Sequence, residues 1–135
     1  MTRIVLDTNV LVAGILSEQG PPGWILDLVT AQELSIVYDS RILAEYREVL
    51  ARPELSLNPD RAKQLLSIIE DRGTLLTPLP RPHELPDRDD EPFLATAHAA
   101  GVDLVTGNTR HFPKSARGGV RASTPREFIE SLRRG

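Results

Sequence analysis

Ile4-Val5-Leu6-Asp7-Thr8-Asn9 is an apolar run that stops on a carboxylate, a hydroxyl and an amide in succession. Branched apolar residues with no turn former suit a buried strand, and the polar triple falls where that strand hands over to the next element. The pattern recurs. Leu34-Ser35-Ile36-Val37-Tyr38 is followed by Asp39, and Leu104-Val105-Thr106-Gly107 by Asn108. Weaker strand signals stand at 74–77 and 120–122, and helical spacing predicts helices near 9–16, 22–31, 40–51, 59–72, 90–100 and 124–134. Asn58-Pro59 offers a cap followed by proline, and Thr124-Pro125-Arg126-Glu127 has the form of a capping box. Strands that alternate with helices imply a mostly parallel sheet covered on both faces, so the expected class is α/β. Thr77-Pro78-Leu79-Pro80-Arg81-Pro82-His83 can be neither helix nor central strand and reads as a connecting loop.

The 135 residues suit one domain, with 40% hydrophobic and 26% charged residues as in ordinary globular chains. A single domain over 1–135 is therefore expected. Cysteine is absent, which excludes disulfide scaffolds, thiolate zinc sites and cysteine nucleophiles. No apolar run is long enough to span a bilayer, and the start has no signal-peptide character, so a cytoplasmic protein without membrane contact is expected. The net charge of −3 conceals an asymmetry: residues 1–109 carry 9 Lys and Arg against 17 Asp and Glu, residues 110–135 carry 7 against 2. An acidic body with a basic tail suits a protein that holds cations and meets a polyanion beside them. Ordinary surface arginines on a terminal helix are the plainer explanation of that tail.

In open parallel sheets the binding crevice lies at the carboxyl ends of the strands, where Asp7, Asp39 and Asn108 fall. Asp39, just ahead of a helix, reads as an N-cap. Asp7 does not, because it opens a cluster of polar groups fixed by the core strand. Glu45 shares the face of Ile42 and Val49, and Asp90 begins the stripe continued by Phe93, Leu94 and Ala97. Inward carboxylates are costly unless a cation or an arginine such as Arg41 or Arg88 compensates them. Three such acids from three elements favour a shared acidic pocket, and oxygen donors without His or Cys suit Mg²⁺ or Mn²⁺. His83, His98 and His111 have no zinc-ligand spacing and read as surface or packing residues.

These residues resemble a known family. Val5-Leu6-Asp7-Thr8-Asn9-Val10-Leu11 is similar to the opening motif of PIN-domain nucleases, and Glu45 to their helical glutamate. Asp89-Asp90-Glu91-Pro92-Phe93-Leu94-Ala95-Thr96-Ala97 resembles their third acidic motif, and Leu104-Val105-Thr106-Gly107-Asn108-Thr109-Arg110-His111-Phe112 their fourth. Within the family the resemblance is to bacterial toxin components of toxin–antitoxin pairs, similar to VapC toxins.

The resemblance implies a three-layer α/β/α fold and Mg²⁺- or Mn²⁺-dependent cleavage of RNA. It implies Asp7, Glu45 and Asp90 as metal ligands, with Thr8, Asn9 and Thr106 orienting them or the attacking water. Asn108 stands where many members carry a fourth aspartate; one charge fewer favours one tightly held ion, with Asn108 contributing its carbonyl or a bridging water. Asp89 reads as a helix cap. Arg110, Lys114, Arg117 and Arg121 follow the fourth motif and are expected to meet the RNA backbone. An antitoxin partner and a homodimer are implied as well, and Trp24, Ile25 and Leu28 form either core or an interface. A haloacid-dehalogenase-type phosphatase would need an acid at position 9, where Asn stands. Two other readings stay open: a non-catalytic module that binds RNA or protein, and acids that bind metal only for stability.

Overall fold

The computed structural model describes residues 1–80 and 85–135. The chain runs β1 (Thr2–Leu6), α1 (Thr8–Leu16), α2 (Pro21–Thr30), β2 (Leu34–Tyr38), α3 (Ser40–Leu50), α4 (Pro59–Arg72), β3 (Thr74–Leu75), α5 (Glu91–Ala100), β4 (Asp103–Val105), β5 (Ala122–Ser123) and α6 (Pro125–Arg134). The sheet order is β3-β2-β1-β4-β5 with every pairing parallel. Crossovers β1→β2→β3 move across the sheet one way and β3→β4 moves back. Because such crossovers are right-handed, the helices of the first two lie on one face and α5 on the other. The result is a three-layer α/β/α arrangement, as expected.

Burial explains the strand patterns. Every residue of β2 is buried, and Ile4, Val5 and Leu6 of β1 are wholly enclosed, as befits strands covered on both faces. α1 and α2 approach closely because Gly14 has no side chain: a Cβ there would lie 2.5 Å from Leu26 Cδ1 and 2.8 Å from the Pro22 carbonyl. Asn58 caps α4 through Asp60 N and Arg61 N, and Thr124 forms both bonds of its capping box with Glu127. Gly101 ends α5 at φ +67°, a left-handed conformation that glycine adopts without strain.

Two boundaries differ from expectation. β5 starts later, at Ala122, because the rungs with β4 are made by Arg121 O and Ser123 O; Val120 instead closes a turn onto Arg117 O. β3 is short, although Leu76 N still reaches Tyr38 O at 2.9 Å. Four short 3₁₀ turns had no clear sequence signal: Pro53–Leu55, Arg88–Asp90, Thr109–His111 and Lys114–Ala116. The proline-rich connection is irregular over 77–80; its remainder, with Arg81 and His83, lies outside the described residues. Among the described residues no helix is long and apolar enough to cross a membrane.

Candidate active site

Asp7 leaves β1 at its carboxyl end and is buried, with 6% of its surface exposed. Its backbone N–H donates to Val105 O, which locks the position to β4. Thr106 Oγ1, the next residue along β4, donates to Asp7 Oδ2 at 2.8 Å and accepts Asn108 N–H at 3.1 Å. Burial raises the Asp7 carboxyl above its ordinary value, and the Thr106 hydroxyl opposes that rise. Asn9, across the turn, accepts Gly107 N–H on its Oδ1 at 3.1 Å.

Glu45 reaches the same crevice from α3, where Tyr46 anchors the helix. The Tyr46 hydroxyl, wholly buried, donates to the Leu6 carbonyl just ahead of Asp7. Glu45 accepts the Thr8 hydroxyl, which draws its carboxylate onto the start of α1. Burial raises its pKa, the Thr8 bond lowers it, and the charge of Asp7 raises it again.

Asp90 ends the 3₁₀ turn ahead of α5 and makes no capping bond. The cap expected of Asp89 is made by Asp87, whose Oδ1 accepts Asp89 N–H, because the turn starts two residues earlier than a helix at 90 would. Asp90 Oδ2 is buried and pairs with His111 Nδ1 at 3.0 Å. Burial, then the charge of Asp7, pushes the Asp90 carboxyl up to about 6. Arginine pairing does not account for these acids: Arg41 goes to Asp39 at 2.8 Å and Glu91 at 3.0 Å, tying the start of α3 to the start of α5. Asp39 is the helix cap expected of it, accepting Ile42 N–H at 2.8 Å.

Asp89, Asp90, Glu45, Thr8 and Asn9 line a cleft of about 520 Å³ whose far wall is apolar, with Val12, Leu16 and Val49. Among the described residues no three His, Asp or Glu side chains converge into a finished cage for an ion. The donor chemistry nevertheless fits a hard divalent cation. The charge of Asp7 raises the carboxyls of both Glu45 and Asp90, and a hard cation held by these oxygens would relieve that repulsion.

The basic residues divide. Arg110 and Lys114 are exposed just beyond the crevice. Arg117 Nε instead donates to Phe112 O at 2.6 Å and holds the loop. Arg121 does not reach the crevice: it lies at the amino-terminal edge of the sheet, paired with Asp103 at 2.6 Å, because a parallel β5 must begin at that edge. Asn108 spends its Oδ1 on Arg110 N at 3.2 Å, capping the turn that carries His111. Ile25 is core, whereas Trp24 is 39% exposed and lies beneath Arg133. His111 was missed as a site residue. Its signal was the spacing Asn108-x-x-His111, since residues three apart share one side of a 3₁₀ turn.

A parallel α/β/α sheet with an acidic crevice at its carboxyl edge defines the class, and comparison with known proteins specifies the family. The PIN domain family model matches residues 3–110, and this chain belongs to that family. An uncharacterized protein of Methanocaldococcus jannaschii is 25% identical, covering 96% of this chain and 91% of the relative. Among solved structures, a chain in the crystal structure of VapBC2 from Rickettsia felis, bound to a DNA fragment from their promoter, shares the fold. Its TM-score is 0.56 at 16% identity, covering 91% of this chain and 98% of that one.

Proposed function

We propose that this protein is a divalent-metal-dependent endoribonuclease, an Mg²⁺ or Mn²⁺ enzyme acting as the toxin of a toxin–antitoxin pair. The observation that carries the reading is the pair of Asp7, buried, and Asp90, half-buried, near one another at the carboxyl edge with Asp90 raised to about 6, in a PIN-family chain. Asp7, Glu45 and Asp90 would hold the ion. Bound there, it would lower the pKa of a water and neutralise charge on the scissile phosphate. Thr106 fixes the rotamer of Asp7, and Thr8 keeps Glu45 in reserve at the cleft wall. Asn9 and Asn108 shape the turns that frame the crevice. Arg110 and Lys114 supply phosphate contacts that position RNA without reading its bases.

An antitoxin partner, a homodimer and a cytoplasmic setting belong to the same proposal. The fold likeness to a chain of the VapBC2 assembly supports the first of these. One observation favours the alternative, a PIN-like module that binds RNA or protein without cutting: the Asn108 amide, where an acid is expected, is occupied by the turn. The test is cleavage of labelled single-stranded and hairpin RNAs with Mn²⁺, Mg²⁺ or EDTA, beside Asp7→Asn and Asp90→Asn. Metal-dependent cutting lost in both folded variants supports the nuclease. RNA binding without cutting under any metal supports the module.

A further inference from the structure

We propose that the groove between α2 and α6 is where a second copy of this chain docks, with Trp24 of each copy seated against α6 of the other. The inference gives a surface to the homodimer included in the function proposed above, and it rests on that part of the reading alone.

Three observations carry it. First, the groove leaves large apolar side chains in water side by side. Trp24, the chain's only tryptophan, is 39% exposed, and Leu132 is 37% exposed. They meet in a groove of about 320 Å³ whose other lining residues are Asp27, Leu28, Ile129 and Arg133. Leu16, Leu75 and Leu79 are exposed as well, but each stands elsewhere, on α1, on β3 and in the loop after it. Scattered apolar side chains are ordinary, whereas an apolar patch with a polar rim marks a contact surface. Second, the groove has the composition of the centre of an interface. Tryptophan and arginine are residues on which binding energy concentrates. Arg133 Cζ stands 5.7 Å from the centre of the Trp24 ring, so the guanidinium takes one face of the indole and leaves the exposed remainder to a partner. Third, the charges are self-complementary. Asp27 is the only charged residue of α2, and its side chain is 65% exposed, 3.6 Å from Arg61. The last turn of α6 carries Arg133 and Arg134. A two-fold axis through the groove lays α2 of each copy against α6 of the other, so that acid meets base twice. The same acid on the rim disfavours RNA as the occupant, because RNA presents phosphates.

The test follows association and the groove together. Sedimentation velocity over a concentration series gives the dimer dissociation constant. Emission from Trp24, unmixed with that of any other indole, reports whether the groove closes over the same concentrations. The proteins are wild type, Trp24→Ala, Leu132→Ser, Asp27→Lys, Arg133→Asp, an equimolar mixture of the last two, and Leu79→Ser as an exposed leucine outside the groove. We expect a wild-type dimer whose Trp24 emission moves to shorter wavelength as it forms. Trp24→Ala and Leu132→Ser should each raise the dissociation constant about tenfold or more, and Leu79→Ser should leave it unchanged. Asp27→Lys and Arg133→Asp should each weaken association, and their mixture should regain it, because the mixed pair restores acid against base at both contacts. Circular dichroism of each variant separates lost association from lost fold, and recovery in the mixture is itself proof that both charge variants are folded. A dimer with the wild-type constant in every variant, and with Trp24 emission independent of concentration, overturns this surface and leaves the homodimer standing on another. A wild-type monomer at all concentrations overturns both and leaves the groove to a different chain, while metal-dependent cleavage is judged separately by its own assay. A Trp24 shift produced by single-stranded RNA, without dimer formation, overturns the proposal in favour of substrate.

Discussion

Thr106 stands between two strands' ends: its hydroxyl donates to Asp7 Oδ2 at 2.8 Å while its oxygen accepts Asn108 N–H at 3.1 Å. One side chain thus sets the rotamer of a buried acid and the path of the loop that carries His111. Thr106→Val keeps the shape and removes both bonds. It should cost about 1–3 kcal/mol in thermal or denaturant unfolding, because two buried polar groups lose a partner. Removing a bond that lowers the Asp7 pKa also moves the acidic limb of RNA cleavage to higher pH. Thr106→Ser should restore both properties.

Asp90 gives a stability prediction of unusual sign. Its carboxyl is raised in the folded protein to about 6 from the ordinary 3.8. A raised value means that the contribution is complete below the unfolded pKa and is lost as pH rises through the folded one, between about pH 4 and 6. Comparing Asp90→Asn with wild type in EDTA isolates this group from the other carboxylates. The variant should be the more stable protein above about pH 7, by on the order of 1–2 kcal/mol, and the advantage should vanish in acid. Mn²⁺ should stabilise wild type but not the variant.

Electrostatics at the two sheet edges should separate in RNA binding. Arg110→Gln and Lys114→Gln each remove a charge beside the crevice. Each should weaken binding to a single-stranded RNA and flatten the salt dependence by about 0.7 in log–log slope per lost phosphate contact. Arg121→Gln, at the far edge and paired with Asp103, should leave both unchanged. A titration of affinity against salt for the three variants checks this, and an equal loss in Arg121→Gln contradicts it.

Thr96 lies in α5 with no exposed surface, and its hydroxyl has no hydrogen-bond partner among the described residues. A buried hydroxyl without a partner destabilises, so Thr96→Val should raise stability by about 1 kcal/mol with cleavage unaffected. Denaturant midpoints and RNA cleavage rates test the two halves of that statement.

The elements were legible because local chemistry and burial agree. The continuous apolar run of β2 forecasts a strand covered on both faces, and the Asn58 and Thr124 caps sit where their hydrogen bonds form. Glu45 and Asp90 could be nominated because each lies on an apolar helical face, and Asp7 because it opens a run of polar groups at the end of a core strand. What periodicity does not encode is which neighbour an inward group finds. Glu45 goes to the Thr8 hydroxyl rather than to an arginine, and Asp90 goes to His111 rather than to Arg88. Arg121 shows a different limit. It follows the fourth motif closely in sequence, but the chain must return across the whole strand length before a parallel β5 can start, so proximity in sequence becomes separation in space. Asp87 replaces Asp89 as a cap for a local reason, a 3₁₀ turn that the helical pattern does not announce.

The pairing of β1 with β4 has a bearing on how the protein is made. β1 leaves the ribosome first, yet Leu6 finds Val105 as its partner and Asp7 is fixed by a residue ninety-nine positions later. A nascent chain that stops short of Thr106 has the acids but not the framework that gathers them. Long-range pairing of this kind closes slowly and only once both strands are free. The crevice is complete only once Thr106 is in place, and chains truncated ahead of it carry Asp7, Glu45 and Asp90 without the strand that fixes Asp7.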